Sequence, residues 1–177
     1  MNFKTKLSTR IGMEDIYEIG YLTQGKDARK QELFDLIFDE DEYVAYQATW
    51  AMTHFSLGEN RWLYSKQDKL IDELMQCTHN GKKRVLLSLI YRQPMANPPR
   101  VDFLDFCLES MISASEPHAV QATCMKIAYE LCRPIPELSQ ELRITLETME
   151  RDLSPAMSAT KKNILKAMVK GKSLQII

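Results

Sequence analysis

The chain repeats at a fixed interval of 37 residues: Gln47-Ala48-Thr49, Arg84-Val85-Leu86, Gln121-Ala122-Thr123 and Ser158-Ala159-Thr160 each stand one interval apart. With helical patterning inside each copy, this is the mark of a solenoid, in which short helical units stack because none buries its apolar face alone. Four copies occupy most of the 177 residues. The interval therefore narrows the fold to an all-α array of helix pairs before any single residue is considered.

Columns away from the matching triplets keep their chemical character. In the first helix of each unit they read Leu33, Leu70, Cys107, Ile144; then Ile37, Leu74, Met111, Thr148; then Phe38, Met75, Ile112, Met149. In the second they read Ala48, Val85, Ala122, Ala159; then Thr53, Ile90, Ile127, Ile164; then Leu57, Pro94, Leu131, Met168. Each helix thus carries one apolar stripe at helical spacing, and the small Ala48 column permits close approach between helices. Breaks at Gly25, 39–42, 58–60, 78–81, 94–99, 113–117, 134–136 and 154–155 divide a single domain, 1–177, into an N-terminal capping helix at 13–25 and repeats at 27–58, 61–94, 100–133 and 136–171. Ser115 and Ser154 are expected to cap helices, with Pro155 at a first helical position. The acidic run Asp39-Glu40-Asp41-Glu42 falls where a second helix begins and favours the positive end of its dipole. It lacks the ligand spacing and glycine of a calcium loop. Asn80-Gly81 opens a helix rather than a hairpin.

Composition limits the function classes. A chain with 45% hydrophobic residues and a formal charge of −1 fits one globular domain. No continuous apolar stretch follows the basic start, so neither a secretory signal nor a membrane span is expected, and a cytoplasmic location is. Cys77, Cys107, Cys124 and Cys132 show no C-x-x-C spacing and sit mostly among apolar residues, as reduced, buried thiols do. His79 and His118 lie near helix starts without ligand-spaced partners; no metal and no cofactor are expected. No G-x-S-x-G elbow, glycine-rich phosphate loop or H-E-x-x-H helix is present.

Charge is uneven along the chain. Residues 1–60 hold 6 Lys or Arg against 11 Asp or Glu, a net of −5, whereas residues 154–177 hold 5 lysines and no acid, a net of +5. Lys162, Lys166 and Lys170 recur every four residues and form one basic stripe on the last helix. That stripe either docks nucleic acid or an acidic protein, or is the solvated cap that a terminal repeat needs. A pI near 6.3 argues against DNA binding as the main activity. End-to-end self-association is a further possibility for a chain of this polarity.

Helix pairs of this length, with proline-rich turns and capped inter-helix loops, resemble HEAT and armadillo-like repeats over roughly residues 27–171. The resemblance implies a right-handed α-α superhelix and a generic role in binding, with the second helix of each pair lining a concave face. The exposed ridge of those helices would hold Gln47, Trp50 and His54, then Arg84 and Tyr91, then Gln121, then Ser158 with Lys161. Arginine and aromatic residues are common anchors of protein interfaces. Trp50 and Tyr91 either project from this ridge or are wedged between repeats. His54 shares the face of Trp50 and serves either there or as a hydrogen-bonded structural residue. A concave face bearing Trp50 and Arg84 is similar to that of helical-repeat DNA glycosylases, but no carboxylate falls on the same ridge.

One segment, residues 154–163, resembles the serine, methionine, lysine and asparagine signature of adenylosuccinate lyase and the wider fumarase-aspartase superfamily. The resemblance implies a mobile loop presenting a serine base, with lysine and asparagine holding the substrate. This chain departs from the pattern: Pro155 replaces the second serine, Ser158 replaces the proline after methionine, and one extra residue separates Met157 from Lys161. The segment also coincides with a regular repeat position, where helix is expected. The sequence therefore points to a non-catalytic module that binds a protein or peptide, with nucleic-acid binding through the C-terminal lysines as one alternative and a lyase of the adenylosuccinate lyase type, implied only by that resemblance, as the other.

Overall fold

The computed structural model describes residues 1–149 and 153–177, and every regular element among them is helical. The helices are α1 (Phe3–Leu7), α2 (Met13–Thr23), α3 (Asp27–Asp35), α4 (Glu42–Thr53), α5 (Leu57–Asn60), α6 (Gln67–Gln76), α7 (Asn80–Tyr91), α8 (Val101–Ile112), α9 (His118–Cys132), α10 (Pro136–Thr148) and α11 (Pro155–Lys170). Short 3-10 turns occur at Leu36–Phe38 and Arg61–Lys66. The chain divides into two compact units, Met1–Gln93 and Pro94–Ile177. Two helix pairs fall in the first unit, α3 with α4 and α6 with α7, and two in the second, α8 with α9 and α10 with α11. The helix α2 stands where a capping helix is expected; α1 and α5 are additions that the periodicity does not announce.

Burial is concentrated in three of the second helices. Seven of the 12 residues of α4, six of the 12 of α7 and ten of the 15 of α9 are buried. Only three of 9 in α3, three of 10 in α6 and two of 13 in α10 are, while α8 buries five of 12 and the last second helix, α11, three of 16. The helices α4, α7 and α9 are therefore the core of their units, α4 against α7 and α9 against α8 and α11. Each buried Leu, Ile, Val, Phe or Met side chain contributes about 1.5–3 kcal/mol on removal from water.

Two of the 37-residue columns in the first helices hold through three repeats and slip in the fourth, whereas Ile112, Leu57 and Pro94 are exposed in columns expected to be covered. Leu33, Leu70 and Cys107 are fully buried, as are Ile37, Leu74 and Met111. In α10, however, Ile144 is 52% exposed and Thr148 is exposed, while Leu142 and Leu146 face the core. The cause is local: Pro136 fixes the first turn of α10, and from that start Leu142 and Leu146 make the better apolar stripe. The period returns in part in α11, where Met157 and Ile164 are buried one interval beyond Val120 and Ile127 but Ala159, one interval beyond buried Ala122, is exposed.

Five helix starts among the described residues carry a side-chain cap, with Asn2, Asp41, Ser56, His79 and Ser154 each accepting from a first-turn amide. Asp41 Oδ1 accepts from the amides of Tyr43 (2.9 Å) and Val44 (3.4 Å) at the start of α4. Asp39 accepts from the Asp41 amide and pairs with Lys4 at 2.8 Å, which also ties α1 to this end of α4; the Lys4 ammonium lowers the Asp39 carboxyl pKa. Ser154 Oγ accepts from the Met157 amide with Pro155 next in line. Ser115 does not cap α9, which begins two residues later after Pro117; its hydroxyl pairs with Ser113 instead. Gly171 closes α11 in the left-handed conformation, φ 62°. Beyond it the tail is held on α9: the buried Glu130 carboxylate accepts from Ser173 Oγ (2.6 Å) and the Leu174 amide (3.1 Å), and the Tyr129 hydroxyl donates to the Lys172 carbonyl. All four cysteines are free thiols; burial pushes Cys132 up to about 11 and Cys107 well above its ordinary value.

Gln47 departs from the expected ridge. It is 3% exposed, its Nε2 donates to the carbonyls of Leu7 and Thr9 (both 2.7 Å), and its Oε1 accepts from the Ile11 amide (3.2 Å). One amide thus fastens the α1–α2 connection onto α4. Gln47→Leu keeps the volume but strands those backbone groups, so urea unfolding is expected to show a loss of about 2–4 kcal/mol. A loss within about 0.5 kcal/mol, as for an exposed ridge residue, would show that these bonds hold nothing.

Candidate functional site

The second helices of the first unit leave one side uncovered. Among the positions of α4 and its C-cap that are not buried are Tyr43, Tyr46, Trp50, Thr53 and His54; among those of α7 and its C-cap are Arg84, Ser88, Tyr91 and Arg92. Both rows follow the spacing of one helix face. Because α4 and α7 lie against each other, an aromatic row and a cationic row are brought side by side. The junction at the start of α7 is tight: a Cβ on Gly81 would sit 3.0 Å from His79 Cε1 and 3.4 Å from Tyr46 Cε2. Glycine there lets the Tyr46 and His79 rings lie 5.9 Å apart, while His79 Nδ1 accepts from the Lys82 amide.

Trp50 is half-buried, and its ring meets that of exposed His54 edge-to-face, with centroids 6.0 Å apart. Shielding from water, and secondarily the nearby Arg92 guanidinium, lowers the His54 pKa below its ordinary 6.5. A neutral imidazole flanked by an indole and a guanidinium suits stacking and hydrogen bonding; neither neighbour accepts a proton. Arg84 is exposed and makes no ion pair among the described residues. Tyr91 is half-buried.

Arg92 is the residue that sequence reasoning missed. Its guanidinium donates to the carbonyls of Thr53 (2.6 Å) and Phe55 (2.5 Å), and its own carbonyl accepts from Asn60 Nδ2 (2.8 Å). It therefore satisfies orphan carbonyls at the end of α4 from the end of α7. A partner 39 residues upstream leaves no local sequence signal.

The remaining expected residues lie in the second unit. Gln121 is not a free ridge side chain: its Nε2 donates to the Ser113 carbonyl (2.6 Å), and its Oε1 lies 3.1 Å from His118 Nδ1. It braces the α8–α9 turn beside a groove of about 510 Å³ that Met111, Ile112, Met149 and Met157 help to line. Lys161, Lys162 and Lys166 line a second groove, about 550 Å³, with Leu165 and Val169. Lys161 is half-buried; Lys162, Lys166 and Lys170 are exposed along one side of α11. Residues 154–163, the lyase-like segment, are the cap and first turns of that helix.

Among the described residues, no three His, Cys, Asp or Glu side chains are grouped to hold a metal ion, and no helix is long and apolar enough to cross a membrane. A family model described as a HEAT repeat domain matches residues 3–168. No curated protein and no solved structure matches the chain.

The Trp50–His54 contact is open to direct titration. Because the folded pKa lies below 6.5, stability is complete above that value and is lost as the pH falls and the ring is forced to charge. NMR titration is expected to give a His54 midpoint below 6.5, and Trp50→Ala to raise it. An unmoved midpoint would show that the indole does not shield the ring.

Proposed function

Since the chain belongs to the HEAT repeat domain family, we propose that it is a protein-interaction module whose binding face lies on α4 and α7. The observation that carries this reading is the juxtaposition of half-buried Trp50 and Tyr91 with exposed Arg84 on two adjacent helices. Half-buried aromatic rings lose little rotamer freedom on binding and offer large apolar area. An arginine without an intramolecular ion pair is available to a carboxylate or backbone carbonyl of a partner. Together they supply the anchor types that dominate interface energetics.

The geometry favours a peptide or protein segment over a small substrate. The face is a helix surface, and its His54 imidazole makes no ion pair with a carboxylate among the described residues. Gln121 and Lys161 belong to the second unit and not to this face.

Peptides selected from a random display library against the full chain provide the test. Their affinity is expected to fall about tenfold or more in Trp50→Ala and in Arg84→Ala, with helicity and melting unchanged. Lys162→Gln on α11 is expected to leave it unaltered. Ligands insensitive to both ridge substitutions would contradict this placement of the binding face.

A further inference from the structure

Two helices at opposite ends of the sequence expose matching faces. On α2, Met13 (39% exposed), Tyr17 (68%) and Tyr21 (75%) form an apolar row four residues apart. Exposed Glu14 and Glu18 run alongside it, one residue further round the helix, and make no ion pair among the described residues. On α11, Leu165 and Val169 (80% exposed) form an apolar row continued by the half-buried stem of Lys161. Exposed Lys162, Lys166 and Lys170 run alongside, again one residue further round, and likewise lack ion pairs among the described residues.

The α11 face is unusual for a second helix. Only three of the 16 residues of α11 are buried, against ten of 15 in α9, the preceding second helix. In a stacked helical array such a face is covered by the next repeat. Exposed tyrosines in a row, together with an 80% exposed valine, form apolar surface that marks interaction sites.

We propose that the α2 face of one copy of this chain docks on the α11 face of another. Both rows span nine residues, eight steps or about 12 Å of helix, so they match in length. Both charged rows lie on the same side of their apolar row relative to chain direction. An antiparallel pairing therefore interleaves Glu14 and Glu18 with Lys162, Lys166 and Lys170, while Met13 covers Val169, Tyr17 covers Leu165 and Tyr21 lies on the stem of Lys161. Parallel pairing puts the two charged rows on opposite edges. The contact joins different patches on the two copies, so each copy keeps one unsatisfied face and association either closes into a ring or continues. A nucleic acid fits the lysine row less well, because Leu165 and Val169 border the row on one side.

Sedimentation velocity of the full chain across a concentration series tests this. At about 0.1 M salt the mean mass is expected to rise above the 20.5 kDa of one chain, and to fall back toward it at about 1 M. Glu14→Lys with Glu18→Lys, and separately Lys162→Glu with Lys166→Glu, are each expected to weaken association about tenfold or more. Mixing the two reversed chains is expected to restore it, since each supplies the face the other lacks; a chain carrying all four changes is expected to associate like the wild type. Tyr21→Ser with Val169→Ser separates apolar contact from charge and is expected to weaken association with no change in net charge. A monomer under all conditions would overturn the proposal. So would association indifferent to the reversals, failure of the mixture to recover when both chains melt normally, or a lysine row that responds only to added duplex DNA.

Discussion

A helix pair of this size has too little apolar surface to hold itself together, and the structure answers that constraint by placing most of its burial in the second helices. In the first unit α4 and α7 share this role, and in the second α9 holds it, with ten of its 15 residues buried. The first helices need only one covered stripe. Polar links then fix how successive pieces meet: Gln47 holds the α1–α2 connection, Arg92 ends α4 from the next repeat, and Lys30 reaches the carboxylate of Glu59 at 2.5 Å. Each satisfies groups that would otherwise be stranded.

The same constraint creates the surfaces. A helix whose inner side is buried on its neighbours presents its other side as a fixed row, and the chemistry of that row is free to vary. On α4 and α7 it is aromatic and cationic; on α2 it is aromatic and acidic; on α11 it is aliphatic and basic. The polarity visible as −5 at one end of the sequence and +5 at the other thus becomes a difference between helix faces.

Much of this was legible in the sequence because stacking enforces periodicity. Leu33, Leu70 and Cys107, one interval apart, are all fully buried, and the capping roles of the acidic run and of Ser154 follow from local chemistry. The failures share a cause. Gln47 stands in the column of exposed Arg84 yet is buried, because its partners Leu7, Thr9 and Ile11 lie outside the repeat. The Ile144 column fails because Pro136 resets the start of α10. Ser115 loses its capping role to a helix that begins later. In each case a non-local bond or a rigid local start overrides the period, and Arg92 shows that such a bond leaves no mark within a window of one helix.

The measurement that tests the account most directly is native-state hydrogen exchange on the full chain, resolved by helix. If α4, α7 and α9 carry the fold, their amides exchange most slowly, and those of α2, α3 and α10 exchange through earlier, partial openings. Protection in α3 or α10 equal to that in α4 and α9 would contradict the claim that α4, α7 and α9 hold their units together.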